Sequence, residues 1–277
     1  MIQDDNAPAA TSIWAPQWWA VLGIGFLLWA ASIGAALLTH DILLIPTIVM
    51  LGSFLVPVTA VVWYLDHDPS PDLSPRRVLG AFILAGVIGV LGAAVLEYYA
   101  IGAGLPVFFA AGLVEEFVKG LLIVFVAIGI RSFATRDGIV LGAAVGFGFA
   151  AFESSGYALI SLFVIQGHQL YLSLTSVVAT ELIRGVLAPF GHGMWSAILG
   201  GAIFSAARHV RLSSVAGVLI AYLVVATLHT AFDSINGIVG YVVVSVFGLI
   251  PLVWMWRRSA SGGVFSRHRT MTRPSAG

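Results

Sequence analysis

The chain has no cysteine and few charges. The missing thiols exclude disulfides, thiolate metal ligands and a cysteine nucleophile, and leave the redox compartment unreadable. Charged residues make up 9% of the 277 positions, against about 25% in an ordinary soluble domain. Thirteen basic side chains balance thirteen acidic ones, so no excess of positive charge points to a nucleic-acid partner. No basic segment precedes the first hydrophobic run. That run is long and Trp-rich, and reads as a retained span rather than a cleaved signal. An internal repeat of the kind that marks inverted-topology transporters is also lacking.

What the chain does have is apolar surface. Hydrophobic residues are 59% of it and the mean hydropathy is +1.00. A helix needs about 20 apolar residues to cross the hydrocarbon core. Eight candidate spans follow: 17–39, 42–65, 78–99, 105–130, 139–162, 186–206, 215–236 and 238–256. Residues 172–188 read as an interfacial or re-entrant piece leading past Pro189 into the sixth span, since irregular backbone is tolerated at depth where protein or water covers it. The expected fold is an all-α polytopic membrane helix bundle of about eight transmembrane helices. With the N- and C-termini cytoplasmic, eleven of the twelve arginines fall on inner segments and only Arg184 on the outer side, as the positive-inside rule requires. Residues 1–16 read as a disordered N-terminal segment, 17–256 as the membrane domain, and 257–277 as a basic flexible tail near anionic headgroups. The Trp clusters at 14–19 and 254–256 read as interface anchors.

Five ionisable residues interrupt these runs: Glu115, Glu116, Glu153, His192 and His229. A charge at the bilayer centre costs at least ~2.5 kcal/mol on insertion scales, so such residues face a bundle interior or a wet cavity and usually mark a site. At ~1.5 Å of rise per residue, Glu115, Glu153, His192 and His229 lie roughly 15, 14, 9 and 12 Å from the outer ends of their spans. Four helices thus bring them to one slab in the outer half of the membrane. Spacing adds partners. Lys119 shares a helix face with Glu115 and Glu116 and reads as their charge partner. Tyr157 follows Glu153, and Ser196 follows His192, at i,i+4. Asp233 follows His229 at i,i+4 and can fix the imidazole tautomer. Arg184 can pair with Glu181 at the membrane edge. Glu97, beside Tyr98 and Tyr99, reads as an interface residue, and the remaining histidines (40, 67, 168, 209 and 268) are assigned no role. Carboxylates and imidazoles in one cavity suit hydrolysis by activated water. They equally suit an ion or proton relay in a transporter, and a non-catalytic chaperone or immunity-type membrane protein remains a third class.

Motif order separates these readings. The segments EEFVK (115–119), FESSGY (152–157), RGVLAPFGHGMWSAILG (184–200) and HTAFD (229–233) resemble, each on its own span and in the same order, the PrsW family of intramembrane proteases, within the larger group that includes the CAAX prenyl endopeptidases. The resemblance covers about residues 50–256. It implies peptide-bond hydrolysis in or at the membrane, with single-pass membrane proteins such as anti-sigma factors as substrates and the bilayer as surroundings, in a bacterial cytoplasmic membrane. By position it implies catalytic roles for Glu115, Glu116, Glu153, His192 and His229, with Lys119, Tyr157, Arg184 and Asp233 in support. Zinc held by Glu153, His192 and His229 is compatible with the residue types but not required, because a glutamate can act on water without metal. Other intramembrane protease classes fit poorly: the sequence holds no H-E-x-x-H, no Y-D with G-x-G-D pair, and no G-x-S-x-G.

Overall fold

The computed structural model describes residues 17–67, 72–187, 190–208, 211–235 and 237–269, with side chains to residue 259. The expected disordered segment 1–16 and the break at Pro189 lie outside the described residues. Helices dominate: α1 (Trp18–Thr39), α2 (Ile45–His67), α3 (Pro75–Leu84), α4 (Val90–Gly102), α5 (Val107–Val126), α6 (Thr135–Ser161), α7 (Leu174–Leu187), α8 (His192–Arg208), α9 (Leu212–Ser234) and α10 (Ile238–Arg269). Among the described residues, seven helical stretches are long and apolar enough to cross a membrane. The eighth long helix, α5, carries Glu115, Glu116 and Lys119 within its twenty residues.

The bundle is apolar inside and out. Leu27, Leu38, Val239 and Ile160 are between 67% and 85% exposed. In water such a surface would drive association; in lipid it is the solvent-facing surface. Because lipid tails are as apolar as the core, close packing rather than hydrophobicity must hold the helices together. The sequence supplies it through small residues. Gly138, Gly142 and Gly146 form an i, i+4, i+8 stripe on α6. It lies against the backbone of α8 at Gly200, Ser196 and His192, where an added Cβ would collide with main-chain carbonyls. This pairing makes α6 and α8 the centre of the bundle. Elsewhere Gly112 of α5 meets Ala226 and Thr230 of α9, and Gly148 of α6 meets Phe82 of α3.

Three features differ from the sequence expectation. First, the single span expected at 78–99 is formed by α3 and α4 and is interrupted by a π-helical turn at Ala85–Gly89. The turn's extra residue rotates the face that α4 presents, and Gly86 and Gly89 there accept Phe152 and Phe149 of α6. Second, the connection after α6 is an antiparallel hairpin, β1 (Phe163–Gln166) and β2 (Gln169–Leu172), with Val164 opposite Tyr171. Its two-residue loop begins with Gly167 at φ +62°, as tightly twisted hairpin turns demand. Third, α10 continues as helix to Arg269, so the first half of the expected basic tail 257–277 extends the last helix. Within the expected segment 172–188, Leu174–Leu187 form a regular helix, α7, packed on α2 and α6.

The glycine stripe gives a direct test. Gly142→Val should lower stability in detergent by about 1–3 kcal/mol, the usual cost of overpacking, and shift the thermal unfolding midpoint down. Gly34→Ala, on α1 with open space around it, should be neutral or mildly stabilising, because alanine is the better helix former. Equal effects of the two changes would show that α6 and α8 do not touch backbone to backbone.

Candidate active site

The charged residues converge on one fully buried ammonium. Lys119 Nζ lies 2.8 Å from Glu116 Oε1, 3.0 Å from Glu115 Oε2 and 2.8 Å from His192 Nδ1. An ammonium can only donate, so His192 Nδ1 must accept. Its proton therefore sits on Nε2, which donates to Glu153 Oε2 at 2.8 Å. Glu153 is held from the other side by Arg184 Nη2 at 2.9 Å, while Arg184 Nε donates to Ser154 Oγ at 2.8 Å. The guanidinium also lies 4.2 Å from the centre of the Tyr157 ring.

His229 is anchored at both ring nitrogens. Nδ1 is 3.0 Å from Glu116 Oε1, and Nε2 is 3.3 Å from Asp233 Oδ2 and 3.8 Å from Glu115 Oε2. The Trp195 indole stacks on this imidazole at 4.5 Å between ring centres. The two imidazoles stand 5.1 Å apart at 87°. Phe149 closes the floor, with the Lys119 ammonium 4.1 Å from its ring centre. Such a cation above an aromatic face is favoured most where water is excluded.

A cavity of about 450 Å³ opens onto this cluster. Glu115, Glu153, His192, Arg184, Asp233 and Tyr157 line it, whereas Glu116, Lys119 and His229 lie behind the wall. The adjacent glutamates thus face different ways. Glu115 reaches the cavity; Glu116, fully buried, serves Lys119 and His229.

All five residues expected in the site, and Lys119, Asp233, Arg184 and Tyr157 with them, are brought together here. Four expectations are corrected. Arg184 does not pair with Glu181. It reaches the carboxylate and hydroxyl of α6, and Glu181 instead accepts from Trp29 Nε1 of α1 at 2.8 Å. Ser196 does not serve His192, because its hydroxyl is turned into the α6 interface at Gly146, where it has no hydrogen-bond partner among the described residues. Among the described residues, the compact set of metal-type donors is Glu115, His192 and His229, whose ligand atoms lie within 4.8 Å of one another. Glu153, the carboxylate expected in that set, is taken up by Arg184 and His192. Glu97 is not an interface residue alone but part of the cavity wall. Trp195 was missed, although its place three residues after His192 put it on the same helix face.

The Glu115, His192 and His229 set has the donor types of a catalytic zinc site, one carboxylate and two imidazoles. Two of the three, Glu115 and His192, contact the Lys119 ammonium, so a bound cation would take over contacts that the ammonium makes here.

Comparison with known proteins gives the family. The family model described as PrsW family intramembrane metalloprotease matches residues 74–256, which is most of the bundle from α3 onward. Protease PrsW of Geobacillus kaustophilus (strain HTA426) is 27% identical over 158 residues, 54% of this chain and 64% of that protein. The match thus spans slightly less than two thirds of that relative's length. No solved structure matches the chain. With the match covering well over half the sequence and taking in every residue of the buried cluster, the chain belongs to the PrsW family of intramembrane metalloproteases.

Proposed function

We propose that the protein is an intramembrane endopeptidase that hydrolyses a peptide bond in or near the membrane segment of another membrane protein. The observation that carries this reading is the cavity inside an apolar bundle where a carboxylate, Glu115, and an imidazole, His192, reach the open space while a buried cation fixes both. A structural polar network would not require a cavity.

In the reaction, Glu115 takes a proton from water at the cavity wall as the water attacks the scissile carbonyl. Arg184 stabilises the developing oxyanion; two of its five N–H donors go to Glu153 and Ser154, and the others remain for substrate. The proton held by Glu115 then passes to the leaving amine. His192, oriented by Lys119 and Glu153, positions the water. Glu116 and Asp233 hold His229 from both sides and fix its orientation. A divalent metal, when bound, would be held by Glu115, His192 and His229 and would supply a Lewis acid that lowers the pKa of water. The site activates water through its glutamate and histidine side chains, with zinc compatible rather than required. The bacterial cytoplasmic membrane, both termini on its inner side and a single-span substrate of the anti-sigma-factor type complete the reading.

Isosteric exchanges test the roles. Glu115→Gln and His192→Asn should each lower cleavage of a co-expressed single-span substrate by about 10²–10⁴-fold, the usual worth of a general base or its partner, with the protein still folded in detergent. Asp233→Asn, at the partly exposed end of the cluster, should keep partial activity. Full activity in Glu115→Gln would remove the proposed base, and loss of ion flux in its place would favour a transporter.

Metal analysis of the purified chain should find activity retained after chelation. Stoichiometric zinc, with activity lost on chelation and restored by zinc, would overturn the metal-independent reading.

Reporter fusions test orientation. Fusions in the 66–77 and 131–138 connections should both report the cytoplasm, as the arginines at 76, 77, 131 and 136 require. An extracytoplasmic signal from either would reverse the topology.

A further inference from the structure

The cavity wall carries four carboxyl groups, and three have a cationic or imidazole partner. Glu115 has Lys119, Glu153 has Arg184 and His192, and Asp233 has His229. The fourth is Glu97. One of its carboxyl oxygens is buried and has no hydrogen-bond partner among the described residues. Buried polar groups are nearly always hydrogen-bonded, and an exception calls for an explanation such as a missing ligand.

Placement says what kind of ligand. Below the π-helical turn, α4 lines the cavity with Val90, Ala93, Ala94 and Glu97, the i, i+3, i+4, i+7 stripe of one helix face. The stripe is small and apolar until its last member. Glu97 lies at the level of Tyr98 and Tyr99, which are 76% and 68% exposed and suit a membrane-interface position. Asp233 and Tyr241, at the end of α9 and the start of α10, also line the cavity. The cavity therefore has an apolar trough along α4 that ends in an acidic rim at Glu97. Its fixed cations each already have a carboxylate partner: Arg184 has Glu153, and Lys119, behind the wall, has Glu115 and Glu116.

We propose that Glu97 determines specificity, by pairing with a lysine or arginine side chain of the substrate that lies at the membrane interface beside the scissile bond. The inference rests on the endopeptidase reading for its role in cleavage, but the pairing itself is a binding event. An apolar stretch of substrate lies along Val90, Ala93 and Ala94 while its basic side chain meets the rim. A substrate without that cation leaves the buried Glu97 oxygen unpaired, and a site built around such a partner rejects analogues that lack it.

The experiment uses the full chain in nanodiscs and a set of synthetic single-span peptides. They differ only in having Lys, Gln or Asp at the residues flanking the outer end of the span. Cleavage of the Lys peptide should exceed that of the Gln peptide by at least about tenfold, a modest figure for a polar site that loses its partner. Glu97→Gln should erase that ratio, and Glu97→Lys should transfer the preference to the Asp peptide. Binding of the same peptides to the Glu115→Gln variant, read by fluorescence anisotropy, gives the preference without cleavage, because all peptides are compared on one variant. Lys-selective binding without cleavage by the wild type would sink the endopeptidase reading and leave the pairing standing. Cleavage with no difference between Lys and Gln peptides, or a Lys preference unchanged in Glu97→Gln, would overturn the proposal.

Discussion

One ammonium group organises the centre of this protein. Lys119 is wholly buried in a bundle whose other walls are apolar, and it touches two carboxylates and an imidazole from α5 and α8. Taking such a charge out of water costs several kcal/mol, offset only by close and well-directed partners. The partners are equally dependent on it. Without the lysine, Glu115 and Glu116 would be two adjacent anions in a medium that cannot solvate them. Its contact also fixes the tautomer of His192, and through Nε2 the position of Glu153. A chemical detail of one side chain thus propagates to three helices.

That arrangement needs α6 and α8 to approach more closely than ordinary side chains allow. The glycine stripe on α6 meets the backbone of α8 at His192, Ser196 and Gly200. His192 is the first residue of α8, so the packing of the stripe sets the place of the imidazole. A second support comes from outside the matched family region, which begins at residue 74. Trp29 of α1 donates to Glu181 of α7, whose carboxylate rests on Gly52 of α2. One turn further along α7, Arg184 reaches Glu153. The two N-terminal helices therefore brace the helix that delivers the cavity's arginine.

Much of this was legible in the sequence, and the reasons for the limits are physical. Composition and run length give a membrane helix bundle, because lipid leaves helices as nearly the only solution for long apolar segments. The buried residues were visible because charges are rare there, and the i,i+4 pairing of His229 with Asp233 follows from helix geometry alone. Contacts between helices were not legible. The choice of Arg184 for Glu153 rather than Glu181 depends on how α7 lies across α6, and sequence spacing carries no information about that. The same holds for the exchange of Glu153 for Glu115 in the donor set. The π-helical turn at Ala85–Gly89 and the hairpin at 163–172 arise from local packing and a single glycine at positive φ. Neither leaves a periodic pattern.

The paired glutamates show why residue type alone could not divide the roles. Neighbours on a helix point about 100° apart, so on α5 only one of the two can face the cavity. Glu115 does, and for chemistry at the wall it is the available carboxylate. Glu116 then points into the protein, where a carboxylate is tolerable only with strong partners. Lys119 at i+3 and His229 from α9 meet that need through the same oxygen. The second glutamate is therefore what allows the lysine and histidine to be buried and held in register, and the lysine in turn orients the first glutamate and His192. On the function proposed above, removing charge from Glu116 would act on the reaction through that chain of contacts, with no need for Glu116 to touch substrate.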